Sequence, residues 1–506
     1  MQTDIPNEPT PDLDPGLCHD RGRELQLQGR PAEAAAWYRA ALAQAPERPE
    51  SWANLGLIFL AQGQPAEAMA CEREALRHDP LRVDAHNNLG IAAHAMNVLA
   101  EAENHFRGAL RLDPGHANAT LNLGVIRHSL GSAAEAETLY RRARELGADP
   151  ARANNNLAMC LAEQERLDEA EAACRAALAA EPGFPEAEVN LAMLLLMRGR
   201  LREAWPYYEA RWRVPPLAGL PARSTAPRWT GAEDLNEKKI LVEAEQGFGD
   251  TLQFCRYAAC LAERGAHVTM AVPEPLARIA ATVPGVHAVV TDGGSLPPHD
   301  FQCPAMSLPL AFSTSVETIP APVPYISARP EETAGWRERL RAAGAGRKLR
   351  VGLVWAGGRR PEQPQAAAID RRRSLALTSF APLAEAGECA FVSLQAGPPE
   401  KQADTAPFPL LRFTEDLVDF AATAALVEAL DLVIAADTAV AHLAGALGKP
   451  VWVLSRFDAC WRWLRGRDDT PWYPTMRLFR QTEPGEWDSV VRRVAAALAR
   501  AARTIG

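Results

Sequence analysis

The chain is 506 residues long and 47% hydrophobic, enough for two or three domains with ordinary cores, and its net charge of −9 argues against a general nucleic-acid binder. Nine cysteines lie scattered without a CxxC pair or a metal-like Cys/His spacing, which fits reduced thiols in a cytoplasmic protein and no metal site. The first residues lack the basic start and apolar run of a signal peptide, and nowhere do about 18 apolar residues run together, so no membrane span is expected.

Residues 1–16, rich in Pro and Asp, are expected to be disordered. From residue 17 the chain becomes self-similar. Asn54, Asn88, Asn122, Asn156 and Asn190 recur every 34 residues, each followed by Leu and then by Gly or Ala. Ala34, Ala68, Ala102, Ala136, Ala170 and Ala204 keep the same period, as do Pro46, Pro80, Pro114, Pro182 and Pro216. A 34-residue unit with small residues where two helices touch and a proline after the second is the tetratricopeptide pattern, and six units fit over residues 17–216. In the fourth unit the proline moves to Pro150 while the next Asn stays in register, so only that turn should differ. Such repeats stack so that an inner groove binds an extended peptide or another protein. A row of amides offers a peptide backbone both donor and acceptor, so the Asn ladder either holds a bound peptide or ties each helix to the next repeat.

Residues 217–236 are a Pro-rich linker. The next segment, 237–330, opens with a strand at Lys239–Glu243 followed by E-Q-G-F-G-D-T-L-Q-F. Gly247 and Gly249 allow a sharp turn and the close approach of a ligand, and Asp250 opens a helix running to Leu261, with Cys255 and Cys260 in its core face. Strand-like runs at His267–Val272 and His287–Val290 flank a further helix.

Residues 331–506 begin with a helix at Trp336–Ala343 and a strand in L-R-V-G-L-V-W-A-G, which ends at Gly357. Gly357-Gly358-Arg359-Arg360, a polar loop and Arg371-Arg372-Arg373-Ser374 follow, and basic side chains beyond a strand's carboxyl end suit a diphosphate as well as they suit solvent. Cys389–Leu394 is a strand and Asp419–Leu430 a helix. Leu432–Ala436 is an apolar run ending at Asp437, a short helix spans Thr438 to Gly448, and Val451–Leu454 is a second apolar run, which makes a βαβ unit in a parallel sheet. Ligands of such sheets sit beyond the carboxyl ends of the strands. There the turn Asp437-Thr438-Ala439-Val440 aims helix N–H groups at an anion, although Asp437 and Thr438 equally suit a plain helix cap. His442 lies one turn behind on the same face. The aromatic stretch Trp461–Pro474 is either a packed loop or a clamp for a base or sugar, and a helix at Glu486–Ala502 closes the chain.

Taken together, G-F-G-D-T-L-Q-F, G-L-V-W-A-G with R-S-L downstream, S-L-Q, and D-T-A-V-A-H-L-A-G-A-L-G-K-P resemble the heptosyltransferase-type glycosyltransferases of family 9. More closely, the chain is similar to bacterial proteins that fuse tetratricopeptide repeats to such a domain. The resemblance implies a GT-B-type pair of Rossmann-like domains, an acceptor half over 237–330 and a nucleotide-sugar donor half over 331–506, with no metal and no cofactor besides the donor. It implies that Asp250 is the general base and that Asp437, Thr438 and His442 belong to the donor-phosphate segment. Ala439 stands where that family usually has Gly, and Arg373 beside Ser374 is the best substitute for its phosphate-binding Lys. The expected function is a metal-independent inverting glycosyltransferase acting on a hydroxyl acceptor, with repeats that recruit a protein, by analogy with the O-linked N-acetylglucosamine transferases. The alternative is a catalytically inactive repeat scaffold for protein–protein interaction.

Overall fold

The structure, a computed structural model, describes residues 13–220, 223–320, 323–346, 348–358, 364–458 and 460–503. Two compact units divide at Asn190/Leu191.

The first unit is built of helical hairpins. Helices α1 (Pro15–Leu27) and α2 (Pro31–Gln44) form one, followed by α3 (Pro49–Ala61) with α4 (Pro65–His78), α5 (Val83–Ala95) with α6 (Leu99–Leu112), α7 (Ala117–Ser129) with α8 (Ala133–Glu145), and α9 (Pro150–Glu163) with α10 (Leu167–Ala180). Prolines in the first turn of α1 to α4 are pre-set for a helix start, where the missing N–H costs nothing. The 34-residue alanines Ala34, Ala68, Ala102, Ala136 and Ala170 are all fully buried, as expected where paired helices touch. The repeated glycine has the same cause. A Cβ on Gly22, Gly90 or Gly124 would lie 2.7, 2.5 or 2.6 Å from the rings of Tyr38, Phe106 and Tyr140, each sixteen residues on in the paired helix. In the second repeat Gly56 faces Glu72 instead, a buried carboxyl at the position that Tyr38, Phe106 and Tyr140 take in the first, third and fourth repeats.

The irregular turn sits where the displaced proline put it. Helix α8 is one residue shorter than α6, and Asp149 caps α9 by accepting from the N–H groups of Ala151 (2.9 Å) and Arg152 (3.3 Å). The expected disorder of residues 1–16 falls on residues 1–12, outside the described residues, and at the far end of that segment Asp14 caps α1.

Helix α11 (Pro185–Met197) spans the division between the units. The second helix of the sixth expected repeat, α12 (Leu201–Tyr208), is only eight residues long and passes into a 3₁₀ turn over Glu209–Arg213. It packs into the second unit: Trp205 Nε1 donates to Thr314 O (2.9 Å), and its ring meets Trp461 edge-on at 5.8 Å.

The second unit holds two parallel sheets. The first contains β1 (Lys239–Glu243), β2 (His267–Val272), β3 (Val286–Thr291) and β4 (Phe301–Pro304) in the order β3-β2-β1-β4. Its helices are α13 (Phe248–Phe254), α14 (Tyr257–Ala262), α15 (Ala277–Ala280) and α16 (Leu308–Ala311). The single helix expected from Asp250 to Leu261 is thus two, parted by a turn at Cys255-Arg256 whose backbone angles stay near helical, and the buried Arg256 guanidinium at that turn donates to Trp472 O (2.9 Å) and Pro320 O (3.2 Å). Cys255 is buried in that turn and Cys260 is partly exposed on α14.

Helix α17 (Pro330–Leu340) starts earlier than the sequence pattern placed it, with Pro330 at its first position. The second sheet contains β5 (Leu349–Val354), β6 (Cys389–Ser393), β7 (Leu410–Leu411), β8 (Leu432–Ala436), β9 (Val451–Ser455) and β10 (Met476–Arg480) in the order β10-β9-β8-β5-β6-β7. Counted from β5 this is the doubly wound order 3-2-1-4-5-6, whose switch point lies between β5 and β8. The helices are α18 (Pro364–Arg373), α19 (Phe420–Ala429), α20 (Ala439–Ala446) and α21 (Asp488–Ala502). The stretch read as a polar loop before Ser374 is therefore largely helix α18; Arg359 and Arg360 lie outside the described residues. All five residues of β8 are buried, as in a sheet covered on both faces, and Val494 and Leu498 of α21 cover one of them together with Val351, Leu353 and Ile434. Among the described residues no helix is long and apolar enough to cross a membrane.

Candidate functional site

The site is assembled from the ends of five strands, β5, β6, β8 and β9 of the second sheet and β1 of the first. After β5 the chain turns sharply, and that turn is pinned by Gln395, which follows β6: its buried Oε1 accepts from Trp355 N (3.1 Å) and Ala356 N (2.9 Å) while its Nε2 donates to Ala356 O (3.0 Å). Ser374 Oγ accepts from Gly357 N (3.1 Å), and Leu375 N donates to Trp355 O (2.8 Å). These bonds bring the last residue of α18, Arg373, over Gly357. A Cβ at Gly357 would lie 2.6 Å from the Arg373 guanidinium, so any other residue there would push the guanidinium from this position. Arg373 Nη1 then spans the switch point to donate to Asp437 O at the end of β8 (2.8 Å), its Nη2 pairs with Asp370, and its Nε is buried with no hydrogen-bond partner. Gly357, Arg373 and Asp437, three separately predicted residues, thus meet at one point.

Thr438 takes the N-cap position of α20 in an extended conformation (φ −138°), but its hydroxyl does not cap the helix; Oγ1 is buried without a partner. The N–H groups at Ala439 and Val440 open the helix beside it. Further cations gather on the same sheet edge: Arg456, just after β9, and Arg372 both pair with Asp458, at 3.1 and 3.2 Å.

The first sheet contributes the opposite wall. Gly247 precedes α13, and Asp250, at the third position of that helix, accepts from Gly247 N through Oδ2 (2.8 Å). Gly249 does make a close approach, but to protein: a Cβ there would lie 2.8 Å from His442 Cδ2 and 3.5 Å from Ala439 Cα, so the glycine lets α13 seat on α20. Arg462, which the sequence reading did not single out, reaches Asp250 from the aromatic stretch and also donates to Gln253 Oε1 (2.7 Å) and to Cys460 Sγ (3.2 Å).

The aromatic stretch is a packed wall and not an open clamp. Trp461, Trp463, Trp472 and Tyr473 are all buried. Trp463 stacks on His442 (5.2 Å, 25° between planes), and Tyr473 Oη lies 2.9 Å from His442 Nδ1. Burial, reinforced by Arg462, Arg256 and Arg373, drives the His442 pKa well below the usual histidine value. His442 is therefore a neutral packed residue behind the anion-type turn, and it adds no positive charge.

In the repeats, the ladder amides turn toward their neighbours. Asn54 Nδ2 donates to Tyr38 Oη (3.2 Å), Asn88 to Glu72 Oε1 (2.9 Å), Asn122 to Asn87 Oδ1 (3.0 Å) and Asn190 to Asn155 Oδ1 (2.8 Å), each tying its helix to the preceding repeat; Asn156 lies half-buried in the same register. A recess of about 480 Å³ between α2, α3 and α4 has a floor of Leu42, Trp52, Leu55 and Phe59, with Arg39 and Glu67 at its sides. Among the described residues no group of His, Cys, Asp and Glu is arranged to hold a metal ion.

The helical hairpins are tetratricopeptide repeats: the family model of that description matches residues 19–80, 88–150 and 130–185. Among curated proteins the chain is similar to Protein FlbA of Caulobacter vibrioides, 28% identical over 332 residues, which cover 58% of this chain and 52% of FlbA. The chain thus spans about half the length of that relative. Among solved structures it is similar to a thermophilic tetratricopeptide-repeat protein of Thermus thermophilus (25% identity, 36% of this chain, 99% of that chain, TM-score 0.32) and to PilF of Pseudomonas aeruginosa (18%, 39%, 90%, TM-score 0.35).

Proposed function

We propose that the second unit is a metal-independent, inverting glycosyltransferase of the GT-B type that takes a nucleotide-sugar, and that the repeats recruit a protein acceptor or partner. The observation that supports this most is the meeting of Arg373, Gly357 and Asp437 at the β5/β8 switch point, beside the start of α20 and across from Asp250. A diphosphate placed there would be held by the Arg373 fork, the unpaired Thr438 hydroxyl and the helix N–H groups, which point at the charge that grows as the bond from anomeric carbon to phosphate oxygen breaks. Each Asp250 oxygen carries one hydrogen bond, to Arg462 or to Gly247, and keeps a further lone pair for the proton of the attacking hydroxyl. Release of nucleoside diphosphate from a panel of nucleotide-sugars is the test: release from one of them by the wild type and not by Asp250→Asn supports the reading, whereas equal release from both removes Asp250 from the chemistry.

A second reading, an inactive scaffold, draws on the same geometry. Asp250 is engaged by Arg462, and α13 is seated directly on α20 through Gly249. On that reading no nucleotide-sugar is bound or consumed, and the repeats carry the function through protein contacts.

A further inference from the structure

The crevice between the carboxyl ends of β1 and β4, the switch point of the first sheet, is filled by the protein itself. Arg211, from the 3₁₀ turn that follows α12, projects its guanidinium there. Nε and Nη2 form a fork on Glu245 (2.9 and 2.8 Å), Nη2 also donates to Ser307 Oγ (2.7 Å), and Nη1 donates to Glu209 Oε1 (2.7 Å) and Tyr208 O (3.2 Å). All five N–H donors of the guanidinium are used. Glu245 Oε1 in turn accepts from Met306 N (2.9 Å), so the ends of the two strands are joined through one buried ion pair whose side chains are 4% and 5% exposed.

Glu245 opens the turn that presents Asp250. The next residue, Gln246, has φ +63°, and its Nε2 donates to Tyr208 Oη (3.1 Å). Gly247 follows, and its N–H is the one that Asp250 holds. Two successive residues of the turn, one of them in a left-handed conformation that a side chain adopts only under constraint, are thus fastened to Tyr208 and Arg211. We infer that Arg211 is a positioning residue: it clamps the Glu245–Gly247 turn so that the Asp250 carboxylate is held at the mouth of the second-sheet site, a role for the end of the repeat segment that rests on the transferase reading given above.

The test uses the full-length chain. Arg211→Met alone leaves Glu245 buried without a counter-ion, so the informative variant is Arg211→Met with Glu245→Gln, which removes both charges and keeps the acceptor for Met306 N. Its melting temperature is compared with wild type, and hydrogen exchange is followed in peptides covering residues 245–254 and 267–272. The expected result is a melting temperature near wild type, exchange about tenfold faster over 245–254 with 267–272 unchanged, and kcat lowered about tenfold while KM for the nucleotide-sugar stays within about twofold. Unchanged exchange over 245–254 overturns the clamp, and a loosened turn with full kcat overturns its catalytic purpose. A wild-type protein that turns over no nucleotide-sugar refutes the transferase reading and the catalytic purpose with it, while the exchange data still decide the clamp.

Discussion

Arg462, on the loop after β9, pairs with Asp250, on the first helix after β1, and so links the two sheets of the second unit through one ion pair. Arg462 is also held by Gln253, almost a turn further along α13, and its guanidinium lies over the Trp461 ring at 4.4 Å. The residue proposed to take a proton therefore also neutralises a buried cation, and both roles are open to measurement.

Asp250→Asn leaves Arg462 in a buried site without its carboxylate. Stability should fall by about 3–5 kcal/mol, the range for breaking a buried pair, and transfer should be lost. Adding Arg462→Met should recover most of the stability and none of the transfer. Denaturant unfolding separates the two effects, and an Asp250→Asn protein as stable as wild type would show that the pair does not matter to the fold.

His442 is neutral when folded, its pKa pushed well below 6.5 by burial, and near the ordinary value when unfolded. A depressed pKa on a base means that the unfolded chain binds the proton first, so stability from this residue is full above the unfolded pKa and is lost as pH falls below it. Thermal melts taken downward from pH 7 should therefore fall more steeply in wild type than in His442→Gln. Parallel slopes would mean that His442 is free to charge in the folded protein.

Glu72 behaves in the opposite sense. Burial lifts its carboxyl to about 8, with the Asn88 amide opposing that only in part. The folded state then favours the protonated acid, so stability is greatest below the unfolded pKa near 4.5 and is lost as pH rises through about 8. The full effect is on the order of 5 kcal/mol. Glu72→Gln should melt at a similar temperature to wild type at pH 4.5 and clearly above it at pH 8.5; a difference that does not change with pH would show that Glu72 is ionised in its pocket.

Much of this architecture is readable in the residues. The repeats announce themselves because one requirement, a small side chain under a packed ring, recurs at Gly22, Gly90 and Gly124 in a fixed period. The turn at Asp437 is legible because an apolar run of strand length ends there and a helical period begins. The short strands are not: β4 is four residues, F-Q-C-P, and β10, M-R-L-F-R, is broken up by two arginines, so neither has an apolar run to mark it. Helix α18 is hidden by its polar start and its three terminal arginines. The residues of the candidate site are marked one by one in the sequence, but its wiring is not. Asp250 and Arg462 lie 212 positions apart, and nothing local in W-R-W marks the arginine between two buried rings as the partner of a carboxylate. The roles of Gln395, quoted only as the end of S-L-Q, and of Arg211 escape for the same reason, since each acts on a backbone turn that only the folded chain brings near.

On the proposed transferase reading, an anion of the nucleoside diphosphate class binds where Arg373 meets Asp437. Calorimetric titration of the full-length protein with nucleoside diphosphates, beside Arg373→Ala, tests it most directly. Saturable binding of one of them by wild type, weakened about tenfold or more in the variant, is the predicted result, because a bidentate charge-assisted contact is lost. No binding by wild type, or equal binding by both proteins, would contradict it.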